Sequence, residues 1–173
     1  MKSQLAPAAL AVAVALAGCA AKQPMSAEEF RQAVAPGAFM AKKETFEVNR
    51  PFRAVADTFR KRGPECLSVS VRTTSTQPGV SHQVVVADYK PTVVVTKERA
   101  ELHVQERHKQ GVVRAVQEPD DGHYLVVADA YPVDKNKTRI EVFGPTGGPG
   151  ALMIRSVKAW ASGESTACPN FAK

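Results

Sequence analysis

Apolar and polar positions along this chain follow two periods, and each switch between them marks the edge of an element. Thr45-Phe46-Glu47-Val48 alternates as a short strand. Asn49-Arg50-Pro51 then opens a helix, with proline suited to the first helical position. Phe52, Val55, Ala56 and Phe59 fall at the i, i+3, i+4, i+7 spacing of a buried stripe, while Arg53, Asp57, Arg60 and Lys61 face away. Gly63-Pro64 predicts its end. Leu67, Val69 and Val71 alternate with Ser68, Ser70 and Arg72 as a strand buried on one face, and Thr73 to Ser81 reads as a loop.

Four further strands are expected after that loop. Gln83 to Tyr89 runs on into Pro91 to Lys97, as one bent strand or two, because Pro91 interrupts a ladder. In Glu101 to His108, Leu102 and Val104 alternate with His103 and Gln105. Asp120-Asp121-Gly122 is a turn, Tyr124 to Val133 is apolar, and Asp134-Lys135-Asn136-Lys137 turns the chain back into Thr138 to Phe143. Gly144 to Gly150 leads into a last helix that buries Met153 or Ile154, Val157, Trp160 and Ala161 and closes at Gly163. Connections this short favour antiparallel hairpins over parallel crossovers. The expected fold class is α+β, a curved antiparallel sheet of five or six strands against two helices. The order of elements is similar to that of helix-grip domains found in some envelope lipoproteins, including a component of the outer-membrane barrel-assembly machinery.

Ahead of this domain the pattern is different. Met1-Lys2 is short and positive, and Leu5 to Leu16 is an apolar run of 12 residues broken only by Pro7. A run of this length is too short to span a bilayer and suits a cleavable export signal. Leu16-Ala17-Gly18-Cys19 follows, and it resembles the lipobox of bacterial lipoproteins. Small side chains flank the expected scissile bond, and the resemblance implies that the thiol of Cys19 carries diacylglycerol. Acyl chains contribute about 0.8 kcal/mol per buried methylene, so two or three would hold the protein on a membrane. Ala20 stands where aspartate implies retention in the inner membrane, so the resemblance implies the outer membrane, with the domain facing the periplasm or alternatively the cell surface.

Residues 1–18 are thus expected to be a removable signal peptide, 19–43 a lipidated tether with a short helix, and 44–173 one domain. In the tether, Ser26-Ala27-Glu28-Glu29 reads as a capping box, Phe30 and Val34 share one helical face, and Pro36-Gly37 ends the segment. Ala20 to Met25 reaches at most ~20 Å, which keeps the domain near its anchor unless the short helix stays undocked.

Composition and charge refine this only slightly. The chain is 44% hydrophobic and 23% charged, the range of a folded domain rather than a disordered tail. Its charge of +6 falls to +5 once Lys2 is removed, leaving 22 basic against 17 acidic residues. No basic run stands out, so a scattered solvated surface is expected over a dedicated polyanion site. With Cys19 lipidated, Cys66 and Cys168 remain, and in an oxidising envelope the pair is expected as a disulfide. No CxxC is present to suggest redox catalysis, and no nearby histidine to suggest zinc.

Signals of catalysis are missing from the sequence. Gly150 is followed by Ala151-Leu152 rather than by the Lys-Ser/Thr of a phosphate loop. His103 and His108 fall on opposite faces of a strand, and all four histidines, with His82 and His123, are expected to be solvated. Neither Gly-x-Ser-x-Gly nor His-Glu-x-x-His occurs. The expectation is no enzyme, no cofactor, no metal site and no nucleic-acid partner. The expected role is a membrane-anchored, non-catalytic binding or assembly module that meets an envelope protein through a sheet face, a sheet edge or a groove between sheet and helix. The alternatives are a binder of anionic lipid or other polyanion, and a hydrolase with an unrecognised site.

Overall fold

In a computed structural model of the chain, residues 23–38, 40–75, 83–110 and 119–171 are described, and the expected signal peptide and Cys19 lie outside them. The chain order is α1 (Ala27–Val34), β1 (Ala41–Val48), α2 (Phe52–Leu67), β2 (Val69–Ser75), β3 (Gln83–Val95), β4 (Ala100–Gln110), β5 (His123–Asp134), β6 (Lys137–Pro145) and α3 (Gly148–Ser162). All six strands form one antiparallel sheet in the order β1-β6-β5-β4-β3-β2. This is the expected α+β, helix-grip-like architecture.

Period-two alternation decides what each face carries. Leu102 and Val104 of β4, Val126, Ala128 and Ala130 of β5, and Ile140 and Val142 of β6 point to the inner face. There they meet Val55, Ala56, Phe59 and Leu67 of α2 and Met153, Ile154, Val157, Trp160 and Ala161 of α3, all buried. Either Met153 or Ile154 was expected to face inward; both do. The interior of the grip is therefore filled by side chains. Arg50 ties the two helices together, donating from Nη1 to the Trp160 and Ala161 carbonyls at 2.7 and 3.0 Å, which satisfies acceptors at the end of α3.

Several boundaries depart from the sequence pattern, each for a local reason. Gly63-Pro64 does not end α2, which runs on to Leu67. A Cβ at Gly63 would lie 3.0 Å from Leu102 Cδ1, so glycine lets the helix approach β4 closely. Pro64 forfeits one helical hydrogen bond on an exposed turn. Leu67 consequently belongs to α2, and the strand starts at Val69. β1 begins at Ala41 rather than Thr45. β3 is a single strand through Pro91. Its pairing with β2 stops at Tyr89, before Pro91, while its pairing with β4 continues to Val95, so Pro91 sits where β3 has a neighbour on one side only.

The short helix is docked, and on the face opposite to α2 and α3. Ser26 Oγ accepts from the Glu29 N–H at 3.1 Å, and Glu29 Oε2 reaches back to the Met25 N–H at 2.7 Å. Ala27 and Val34 of α1 pack on Val127 of β5 and Phe143 of β6, with Phe30 against Tyr124. The molecule is therefore sandwiched locally, with α1 outside the sheet and α2 and α3 inside it. α1 and the first residues of β1 therefore pack with the sheet.

A disulfide joins Cys66, in the last turn of α2, to Cys168 in the tail, across a sequence separation of 102. From Gly163, left-handed at φ 88°, the tail runs back past α2, where Arg62 donates to the Thr166 carbonyl. It ends with Phe171 stacked on Tyr89 at 5.7 Å between ring centroids.

Candidate functional site

Because the grip is filled, concave surface is found at its rim. α3 packs over β5 and β6 and reaches the inner side of β1 through Lys158, which bonds Glu44 and lies over the Phe46 ring at 5.6 Å. The placement starts with two glycines. A Cβ at Gly150 would lie 2.4 Å from Pro145 Cγ, and one at Gly144 would lie 3.0 Å from Ile154 Cδ1. The start of α3 thus presses on the end of β6, one strand short of the sheet edge. Two adjoining depressions of about 620 and 520 Å³ result, and they share Glu44, Arg155 and Lys158.

Phe46 of β1 is half-buried on the floor of this groove, while Leu152 and Ile154 of α3 supply apolar wall. Phe171 of the tail closes one end. Three cations, Lys42, Arg155 and Lys158, face two carboxylates, Glu44 and Glu164. Glu44 is already engaged, accepting from Lys158 Nζ at 2.5 Å and pairing with Lys42 Nζ at 2.8 Å. Those two ammonium groups hold its carboxyl below the usual range, Lys158 contributing most. Arg155 is exposed and makes no ion pair among the described residues. Among the described residues, no histidine or cysteine lines the groove. Its equipment is an apolar floor, a cation without an ion-pair partner among the described residues, and the outer edge of β1.

The outer face carries a second polar cluster, which sequence reasoning missed. Asp129 of β5 is completely buried, and its two oxygens accept from Arg31 Nε at 2.6 Å and Nη2 at 2.8 Å. Arg31 Nη2 also donates to Glu101 Oε2, and Glu101 Oε1 contacts His103 Nδ1 at 2.8 Å. His103 is only 9% exposed, packed on Tyr124 at 5.2 Å, which corrects the expectation that it is solvated. The His103 contact and the Arg31 guanidinium outweigh burial and lower Glu101 to about 2. Burial raises the carboxyl of Asp129 against the opposing pull of Arg31. For Arg31, burial opposes the charge, but the bonds and charges of Asp129 and Glu101 prevail and raise it. The arrangement is a pinned ion network holding α1 to the sheet.

The remaining expected features fall as follows. His108 points to the inner face, where its Nε2 lies 3.6 Å from Glu106 Oε1, opposite in face to His103 as the spacing predicted. His82 lies outside the described residues. Asp121 pairs with Lys90 at 2.6 Å, and Gly122 (φ 84°) has no room for a Cβ against the Glu106 carbonyl, which makes Asp120-Asp121-Gly122 a packed turn. No group of three or more metal-ligating side chains occurs among the described residues. Basic side chains on the sheet are interleaved with acidic ones, as in Lys43–Glu141, Lys137–Glu47 and Lys109–Asp88. No helix among the described residues is long and apolar enough to cross a membrane.

No family model matches the chain, and no curated protein matches it either. Solved structures do align with it. One is a hypothetical protein, jhp0584, from Helicobacter pylori, at 14% identity over 76% of this chain and 90% of that one, with a TM-score of 0.38. Norcoclaurine synthase from Thalictrum flavum aligns at 12% identity over 73% and 88% of the two chains, with a TM-score of 0.30. The di-domain ARO/CYC protein BexL aligns at 11% identity over 70% and 42%, with a TM-score of 0.28. The groove residues stand on their own chemistry.

Proposed function

We propose that this chain is an envelope lipoprotein, anchored through Cys19 to the outer membrane, whose domain is a non-catalytic binding module. The observation that carries the binding reading is the groove between β1 and α3, with Phe46 on its floor and Arg155 unsaturated on its wall. An extended segment of an envelope protein suits it, since the groove offers apolar and cationic contacts along its length. A general polyanion surface is less well supported, because the cations of the sheet alternate with carboxylates instead of forming one face.

The test places a photo-crosslinking side chain at Arg155 in the full-length chain in bacterial cells, with Arg53 on the exposed face of α2 as the comparison site. A discrete protein adduct from position 155 and none from position 53 is expected. Equal adducts from both positions, or none from either, would remove the groove from consideration. The anchor is tested separately by Cys19→Ser, which should abolish labelling by a palmitate analogue and release the protein from membranes. Retention of the label would refute the anchor.

A further inference from the structure

We infer that a second copy of this chain pairs with the edge of β1, so that two copies form one continuous sheet. β1 is hydrogen-bonded to β6 on one side and is the terminal strand on the other. An unpaired edge of this kind is a template for another strand. Two identical edges related by a two-fold axis through the sheet must set residues of the same face opposite each other, which leaves registers centred on a residue.

These registers differ sharply in charge. Centred on Lys43 or on Glu44, the strand sets that residue against its own copy, a like-charge contact. Centred on Phe46, it forms no ion pair. Centred on Thr45, it sets Thr45 against Thr45, Glu44 against Phe46, and Lys43 against Glu47 of the second copy twice over. That register alone gains two opposite-charge pairs without a like-charge clash. Both side chains are accessible, at 36% exposure for Lys43 and 50% for Glu47. Their present partners are Glu141 at 3.0 Å, itself half-buried, and Lys137 at 3.4 Å; the solvent-facing Lys137–Glu47 pair is of the kind contributing roughly 0–1 kcal/mol and exchanges readily.

Pairing also completes the groove, a step that rests on the binding reading above. α3 lies over β5 and β6, so the two copies of α3 would stand about four strand spacings apart, roughly 19 Å. Helices about 10 Å across leave a trough ~9 Å wide, the width of one extended chain. Glu44 and Phe46 of both copies floor it, and Arg155 and Lys158 of both copies wall it. Each half-groove is open to solvent along β1; the pair has two walls.

The test is register-specific cysteine crosslinking of the full-length chain in bacterial membranes. Facing Cα atoms in an antiparallel pair lie about 4.5–5.5 Å apart, within disulfide reach. Under mild oxidation, Thr45→Cys should give a disulfide-linked dimer. Lys43→Cys and Glu47→Cys should each stay monomeric alone and crosslink when mixed. Lys43→Glu added to Thr45→Cys should lose the dimer, and Glu47→Lys on the same chain should restore it. A monomeric Thr45→Cys variant with a native circular dichroism spectrum overturns the pairing, as does Lys43→Cys crosslinking alone as well as Thr45→Cys does. The two readings separate cleanly: a monomer that still gives the position-155 adduct keeps the groove and loses the pairing. A dimer without that adduct keeps the pairing and loses the groove.

Discussion

The two faces of the sheet are held by different physics. The centre of the inner face is apolar, with Trp160, Phe59, Leu102 and Met153 essentially inaccessible, and its helices are set by shape. The outer face holds α1 through a few apolar contacts and one guanidinium that satisfies two carboxylates. Burial of apolar area is non-directional and scales with area. A buried ion network is directional, costs desolvation, and is lost nearly whole when one member goes. The inner face should therefore govern global stability, and the outer face should govern only where α1 sits.

The sharpest way to break this contrast is Trp160→Ala, expected to cost about 3–5 kcal/mol by urea denaturation. Trp160→Phe should cost much less, because the indole Nε1 is buried without a hydrogen-bond partner among the described residues. Arg31→Ala comes next. Losing it leaves Asp129, at a site with no solvent access, with only the more distant Arg99 guanidinium at 3.9 Å, at about 3 kcal/mol, and hydrogen exchange should show α1 opening while β4 and β5 stay protected. If Arg31→Met combined with Glu101→Leu and Asp129→Leu is as stable as wild type, the network specifies the position of α1 more than it stabilises it.

Removing the disulfide with Cys66→Ala and Cys168→Ala should cost about 2–4 kcal/mol and free the tail, read as loss of the Phe171 contact with Tyr89. Acid should act on the outer face. Glu101 is lowered from 4.5 to about 2, so its contribution is complete above 4.5 and is lost as pH falls toward 2. Asp129, shifted upward, acts in the opposite sense above 3.8 and blunts the slope. The protection factors of α1 amides, taken relative to intrinsic exchange at each pH, should consequently fall across that window before the core yields. Ser26→Ala should have the smallest effect, about 1 kcal/mol and confined to α1, because it removes one capping acceptor.

Much of the inner face was legible because one-face burial writes a period into the chain. Leu102 and Val104 against His103 and Gln105 gave β4, and the stripe from Phe52 to Phe59 gave the body of α2. The groove was harder to read, since Glu44, Phe46 and Arg155 look like ordinary amphipathic positions until α3 stops one strand short of the edge. The ion network left one signal. β5 runs Val126-Val127-Ala128-Asp129-Ala130 with every residue buried, so it departs from alternation and carries a single acid inside an apolar run. A strand covered on both sides reads that way, and a lone acid in it needs a buried cation.

By itself, then, the sequence determined the antiparallel sheet, its two inner helices and the pairing-ready cysteines, since these follow from local periodicity, turn chemistry and residue count. Tertiary structure alone decided that α1 crosses to the outer face, that Arg31 is the cation Asp129 requires, and that α3 packs over β5 and β6 and reaches β1 through Lys158. Those outcomes depend on which surfaces meet between residues as far apart as 31 and 129, and no local pattern records such a meeting.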